Sequence, residues 1–334
     1  MRAGCLVTLL VAVMNAEAPK ANRKSEIENG KSQMSLLVTG SIGIDTVEAP
    51  SGKVTDALGG SSVYFAQAAS FFSPVRLVGV VGDDCPKDFL QPLRDNPQVD
   101  MGGLEVRKGS KTFRWHGRYH EDVNRRDTVA VELNVLAECG PTIPPQFTDS
   151  EYVFLANTHP DLQMELVGQL AEPKLVVADT MDLWITTEHD ALARLLERID
   201  GLVLNDSEAL LLTGKSNIVA AGLECAKRVR RFVVVKKGEH GSLLLADGKA
   251  YPMAGYPTTE VVDPTGAGDS FAGAVMGHLA AEGRCDLPTL RRAIAYGTVT
   301  ASFGIEDFSL NRFLRLTREQ IDARTNMFRE IMGF

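Results

Sequence analysis

The sequence lacks the features of a stapled, membrane-spanning or nucleic-acid-binding protein. Its five cysteines (Cys5, Cys85, Cys139, Cys225 and Cys285) are scattered, odd in number and never in a CxxC spacing. This excludes a disulfide framework and a cysteine-based zinc site, and it fits a reducing compartment. No apolar run is long enough to cross a bilayer. A cationic excess is missing too. Forty-three acidic residues outnumber 35 basic ones, for a net charge of −8, so no electrostatic footprint for nucleic acid is expected. The cluster Lys227, Arg228, Arg230 and Arg231 reads as the solvated face of a helix. No internal repeat or low-complexity segment occurs. What remains is an ordinary globular composition, 44% hydrophobic and 23% charged. Its 334 residues allow one large α/β domain with an appendage, or two domains.

The first 33 residues carry little pattern. Arg2, the apolar stretch Leu6–Met14 and then Asn15-Ala16-Glu17-Ala18 imitate a short export signal with a small-residue cleavage site. The apolar stretch is short, residues 17–33 are polar and patternless, and Met34 stands just before the first convincing strand. Residues 1–33 are therefore expected to be a disordered extension or a misassigned start, and 34–334 the folded domain.

Farther along, short apolar, β-branched runs alternate with helically spaced ones, which reads as a mostly parallel sheet covered by helices. Strands are predicted at Leu36–Thr39, Val75–Val81, Tyr152–Ala156, Leu175–Ala178, Gly201–Leu204, Phe232–Lys236 and Ser242–Leu245. Helices are predicted at Ser62–Phe72, Pro86–Arg94, Leu162–Leu170, Glu188–Arg198, Ser207–Thr213, Gly222–Arg230, Ser270–Ala281, Leu287–Phe303 and Arg318–Met332. Two segments, about 42–58 and 103–132, break the rhythm. Their alternation, as in Thr112-Phe113-Arg114-Trp115-His116-Gly117-Arg118-Tyr119, indicates strands buried on one face. They form either an edge hairpin of the main sheet or a small separate sheet.

The most informative stretch is Asp263-Pro264-Thr265-Gly266-Ala267-Gly268-Asp269-Ser270, between a β-like segment at Thr258–Val262 and an amphipathic helix. A turn of small residues at a helix N-terminus leaves several N–H groups without partners. With the helix dipole, these attract phosphate. An Asp placed where the anion belongs is costly unless its carboxylate takes a proton from a hydroxyl as phosphate moves. The plain alternative is a tight turn with Asp269 as a helix cap. Residues 263–276, DPTGAGDSFAGAVM, resemble the C-terminal motif of the ribokinase-like (PfkB) carbohydrate kinases at every constrained position. The resemblance implies a three-layer α/β/α fold with a mostly parallel central sheet, and a small β lid built from the two alternating segments. It also implies Asp269 as catalytic base and Gly266, Ala267 and Gly268 as the anion hole for the γ-phosphate of ATP.

Asn205-Asp206-Ser207-Glu208 follows a predicted strand and starts a helix. It resembles the family's N-x-x-E pair, which organises Mg²⁺ through water; an oxygen-rich pair suits a hard cation that keeps its waters. Read on its own, the same run makes a capping box. Gly214-Lys215-Ser216 ends like a P-loop, but Ala209 stands where the first glycine is required and Leu210-Leu211-Leu212 belong to a packed helix. Gly214 is then a helix C-cap. Lys236-Lys237-Gly238-Glu239-His240-Gly241 resembles the family's nucleotide-side turn at Gly238 and Gly241. Lys236 stands where the family often has Thr. It either holds an ATP phosphate as a point charge or is a solvent-facing lysine of a hairpin. By resemblance alone, Ala301-Ser302-Phe303-Gly304 borders the adenine or a monovalent cation such as K⁺.

The N-terminal half carries the acceptor side. Gly40-Ser41-Ile42-Gly43-Ile44-Asp45 is not a dinucleotide fingerprint, because it lacks GxGxxG and no helix follows. By resemblance, Asp45 grips substrate hydroxyls and Gly59-Gly60 form the substrate floor. Tyr64 stands where ribokinase-type members have an Asn, so it is either an aromatic face for a sugar or nucleobase, or helix packing. Asn157 lies in a segment that the family keeps near the substrate. Arg114 and Arg118 either bind an acidic acceptor or are solvated. The implied activity is phosphorylation of a hydroxymethyl group on a sugar by ATP and Mg²⁺, with a nucleoside acceptor or a non-catalytic sensor as alternatives. A cytoplasmic location and pairing of two copies through the lid go with that expectation.

Overall fold

A computed structural model describes residues 35–333. The expectation for residues 1–33 lies outside the described residues. The strands, in chain order, are β1 (Leu36–Thr39), β2 (Gly43–Ala49), β3 (Gly52–Gly59), β4 (Val75–Gly82), β5 (Val99–Arg107), β6 (Phe113–Tyr119), β7 (Arg126–Glu132), β8 (Tyr152–Leu155), β9 (Leu175–Asp179), β10 (Gly201–Asn205), β11 (Phe232–Lys236), β12 (Ser242–Ala246) and β13 (Lys249–Met253). The helices are α1 (Ser61–Ala69), α2 (Gln91–Arg94), α3 (Pro160–Gly168), α4 (Asp182–Thr187), α5 (His189–Leu196), α6 (Asp206–Thr213), α7 (Ile218–Ala226), α8 (Ala267–Glu282), α9 (Leu287–Gly304) and α10 (Arg318–Met332).

A nine-stranded sheet runs β13-β12-β11-β10-β9-β8-β1-β4-β5. Its strands pair in parallel except at one edge, where β12 is antiparallel to β11 and β13 to β12. Parallel strands buried on both faces need apolar side chains on both sides of the pleat, and these strands supply them. Leu36, Val38, Phe154, Val177, Val203 and Val234 face one layer, with Phe65 of α1 and Phe271 and Val275 of α8. Leu37, Val153, Val176, Leu202 and Val233 face the other, with Leu195 of α5 and Ala221 of α7. Helices on both faces of a mostly parallel sheet make the three-layer α/β/α fold.

The alternating segments form a separate four-stranded sheet, β3-β2-β6-β7. Residues 103–107, expected with that second sheet, instead lie in β5, which pairs in parallel with β4 at the edge of the main sheet. Other expectations shift as well. Thr258–Val262 is irregular, because Val262 N–H donates to Ile305 O rather than to a strand. Of the helix expected at 86–94 only Gln91–Arg94 forms, since turns occupy the residues before it. The helix expected at 222–230 lies at 218–226, capped by Asn217. Gly222 is therefore mid-helix, where a Cβ would come within 2.8 Å of Leu245. The basic cluster consequently falls at and beyond the end of α7 rather than on its face, with Arg228 donating to Leu212 O and Arg231 to Cys285 O. Gly214 caps α6 in the left-handed region, with its N–H on Leu210 O, so the P-loop look-alike is a helix end.

His278 of α8 is buried in an aromatic nest, edge-on to Phe72 and against Tyr296. Its Nε2 has no partner. Burial lowers its pKa to about 4; Glu282 and Asp322 oppose the shift, while Arg292 and Arg318 add to it. The unfolded chain then binds a proton near pH 6.5 that the native protein refuses until about pH 4, so the contribution of His278 to stability falls on acidification across that window. Buried carboxylates such as Asp45 titrate with the opposite sign, so the effect is read as a difference: in thermal unfolding, the Tm of the unaltered protein minus that of His278→Leu should fall by several degrees between pH 6.5 and 4.5.

Candidate active site

The carboxyl ends of the parallel strands carry the site, as expected for an open α/β sheet. Val177, Val203 and Val234 point to the α8 face, and period-two alternation sends Asp179, Asn205 and Lys236 to that same face, one step farther on. The register pairs Asn205 with Lys236. Above these strand ends stands the turn before α8. Gly266, the N-cap, is left-handed at φ 73° and ψ 1°. A Cβ there would lie 2.3 Å from the Tyr64 ring, so glycine meets both a conformational and a steric demand.

Asp263 shapes the turn by accepting from Thr265 N–H, and Thr265 Oγ1 is 3.2 Å from the Tyr119 hydroxyl of β6. The N–H groups of Gly266 and Gly268 have no hydrogen-bond partner among the described residues, whereas Ala267 N–H donates to Pro264 O. Ala267, expected to share the anion hole with the two glycines, therefore has its amide occupied by the turn that aims them. Lys236 Nζ lies 2.7 Å from where a Cβ on Gly268 would be. An ammonium and two unpartnered amides thus converge beside Asp269, the third residue of α8.

Asp269 is half-buried, and burial raises its pKa while Lys236 and Arg126 pull it down. Asp179 is 7% exposed, with Oδ1 unpartnered, and burial and the nearby Asp269 push it well above the carboxylate range. Sequence reasoning passed over Asp179. Its one signal was an acid closing an otherwise apolar strand. Asn205 and Glu208 form the capping box of α6: Asn205 Oδ1 accepts from Glu208 N–H, and Glu208 Oε2 accepts from Asn205 N–H. Burial raises Glu208, and Lys236 counters it. Among the described residues no three His, Cys, Asp or Glu side chains converge as a metal chelate.

On one side of the turn a cleft of about 550 Å³ is lined by Asn205, Lys236, Gly238, Gly241, Gly268 and Ser302, among others. Gly238 and Gly241 have positive φ values, and a Cβ on Gly241 would strike Met253 O at 2.1 Å. On the other side, Asp45, in β2 of the second sheet, is 4% exposed. Burial, with Asp263 and Asp269 nearby, raises its pKa to about 7 against a hydrogen bond from Gly60 N–H. A Cβ on Gly59 would fall 1.9 Å from Asp45 Oδ2, and Oδ1 has no partner. Two expected acceptor ligands are otherwise engaged. Tyr64 is 3% exposed, its ring spent on Gly266. Asn157 accepts from Trp184 Nε1 at 2.9 Å and turns its amide nitrogen to Met181 Sδ. Arg114 and Arg118 are paired with Asp56 and Glu48.

Residues 46–314 match the model of the pfkB family carbohydrate kinases. The chain belongs to the PfkB family. A cytidine kinase of Thermococcus kodakarensis is 30% identical over 246 residues, covering 72% of this chain and 86% of that protein. Among solved structures, a nucleoside kinase of Burkholderia thailandensis bound to inosine superposes with a TM-score of 0.71 at 19% identity, over 87% of this chain and 97% of that one. An E. coli protein described as ribokinase II and solved with ATP and Mg²⁺ gives 0.71 at 18%, over 88% and 99%. At such identities these structures establish the ribokinase fold; the family match makes this PfkB protein a carbohydrate or nucleoside kinase, for which ATP and Mg²⁺ are expected.

Gly266→Ala should lower Tm markedly, because it adds a ring clash to the cost of left-handed backbone. Gly248→Ala, at φ 71° with nothing within 4 Å, is the control and should lose only the backbone term of about 1–2 kcal/mol. Equal losses in thermal unfolding would show that Tyr64 does not brace the turn.

Proposed function

We propose that this PfkB kinase transfers the γ-phosphoryl of ATP to the hydroxymethyl group of a ribosyl acceptor, with Asp269 as the base. One observation carries the reading: two unpartnered amides, of Gly266 and Gly268, and the Lys236 ammonium meet beside a half-buried carboxylate. Donors that await negative charge are what a phosphoryl group requires, and a carboxylate beside them is placed to take the proton of a hydroxyl that attacks it. Asp269 takes the acceptor's proton, the two glycine amides and the α8 dipole hold the phosphoryl oxygens, and Lys236 adds a point charge. The nucleotide lies in the cleft along Gly238 and Gly241, with Ala301 and Ser302 at its far wall.

Glu208 uses Oε2 on its own helix cap, which leaves Oε1 to receive a hydrated Mg²⁺ together with Asn205. The absence of a tight protein chelate fits an ion that keeps its waters and binds mainly to phosphate. When bound, that ion neutralises charge on the β- and γ-phosphates. By the family resemblance alone, the wall at Ala301 and Ser302 borders the adenine or a monovalent cation such as K⁺. Asp45, with Gly59 and Gly60, positions the acceptor. The second sheet covers that acceptor and keeps water from the phosphoryl group. Tyr64 and Asn157 act from behind, bracing the anion turn and Trp184.

A nucleoside acceptor is favoured over a free sugar by the likeness to a cytidine kinase across most of that protein's length. Arg114 and Arg118 argue against a phosphorylated acceptor, since carboxylates already engage them. Val129 and Val131 of β7 stand 45% and 52% exposed, which supports pairing of two copies through the second sheet. A cytoplasmic location, where ATP is supplied, fits this reading.

With a panel of nucleosides and pentoses, cytidine-type acceptors should give the highest kcat/KM; turnover confined to free sugars would reject the nucleoside preference. Asp269→Asn should reduce kcat by about 10³-fold, the usual worth of a general base, with ATP affinity little changed. A loss confined to KM would remove Asp269 from the chemistry. Because Asp45 grips hydroxyls as an anion and titrates near pH 7, acceptor kcat/KM should rise with pH through about 7. Asp45→Asn should abolish that inflection.

A further inference from the structure

The hairpin of the second sheet brings a cation to the phosphoryl site that no motif announced. Glycine at 117 starts the arrangement. A Cβ there would sit 1.9 Å from the Trp115 ring, so its absence lets the indole lie flat across β6. Trp115 Nε1 is pinned to Thr128 Oγ1 at 3.3 Å, and the Arg126 guanidinium stacks on the ring, 5.4 Å from its centroid. Such a platform restrains a long side chain without neutralising it.

The hairpin is also seated at both sides of the site. At its tip, Asn124 Nδ2 donates to Glu239 Oε1, and Asn124 Oδ1 occupies space that a Cβ on Gly238 would need. At the last strand pair before that tip, Tyr119 reaches Thr265 in the turn before α8. Arg126 lies against that Tyr119 hydroxyl and makes no ion pair among the described residues, although its field is felt at both Asp269 and Glu208. An exposed arginine held on a ring, beside the tyrosine that touches Thr265 and without a carboxylate partner among the described residues, is available to a ligand's charge.

We propose that Arg126 is a catalytic residue, a guanidinium delivered by the second sheet onto the γ-phosphoryl group and in place only while the hairpin rests on Thr265 and Glu239. This rests on the phosphotransferase reading above. In the reaction, the acceptor oxygen forms its bond to the γ-phosphorus as the bond to the β,γ-bridging oxygen breaks. ADP leaves with that electron pair, and the acceptor proton passes to Asp269. Arg126 exchanges no proton and pairs with the equatorial oxygens, where charge accumulates. Coupling the cation to the hairpin also makes hydrolysis of ATP by water slow whenever the sheet is lifted.

The test uses the full chain with Mg·ATP and cytidine or ribose as acceptor, and ATP hydrolysis by water as a readout that needs no acceptor. Arg126→Ala should lower kcat by about 10²–10³-fold, the cost of one lost donor to developing charge, with KM for ATP changed less than threefold. Arg126→Lys should recover part of the loss, and guanidinium chloride below denaturing concentrations should rescue the Ala variant. Loss confined to acceptor KM, or absence of rescue with a lowered Tm, would make Arg126 a structural residue and overturn the inference. If Asp269→Asn is inactive while Arg126→Ala keeps full kcat, this inference alone fails. If Asp269→Asn turns over normally, the base assignment fails, and the guanidinium rescue of Arg126→Ala still reports on Arg126.

Discussion

The left-handed turn at Gly266 is the constraint on which the rest of the site depends. One residue with positive φ ends the irregular chain from Ala254 and starts α8, and this leaves the amides of Gly266 and Gly268 without internal partners. Tyr64 of α1 closes over it, so the turn cannot relax into a form that consumes those amides. Because α1 follows directly from Gly59–Gly60, the same packing ties those glycines and Asp45 to the turn before α8. In the proposed reaction that helix braces the acceptor side against the phosphate side.

Electrostatics follow from that geometry. Asp45, Asp179, Asp263 and Asp269 are brought together in poorly solvated surroundings, and burial raises all four. Lys236 from β11 and Arg126 from β7 are the cations whose fields lower Asp269. An acidic site with few counter-charges is unfavourable by itself. In the proposed reaction, a carboxylate whose pKa is raised in this way is a better acceptor for the hydroxyl proton.

The second sheet adds dependence on contact. Its hairpin touches the nucleotide turn at Glu239 and the anion turn at Thr265, so both substrate sides bear on one element. β7 is exposed along its whole length, and its position is held by pairing with β6 and by these tip contacts. Such an element can seat and lift at low cost. This is the behaviour expected of a cover that admits substrates and excludes water.

Much of this was legible in the chain because the chemistry is local. A glycine-rich bend and the helix that follows it are adjacent in the chain, so the left-handed turn at Gly266 and the start of α8 were legible at 263–270, whereas the run at Thr258–Val262 looked like a strand and is irregular. Period-two and period-3.6 patterns dictated most strands and helices for the same reason. Asp179, Tyr119 and Arg126 could not be read there, since each acquires its meaning from a neighbour brought across the fold. Tyr64 was open between a ligand face and helix packing, and Asn157 was placed near the substrate by resemblance; in the fold Tyr64 packs on Gly266 and Asn157 bonds Trp184, contacts that residue type does not announce. Residues 103–107 alternate like the second sheet, yet pair with β4, because register depends on which edge is free rather than on pattern. The sequence by itself determined the phosphate turn, the layered α/β architecture and the kinase family. Only the tertiary structure decided which side chains converge on that turn, because burial and pairwise distance belong to the packed chain and not to its order.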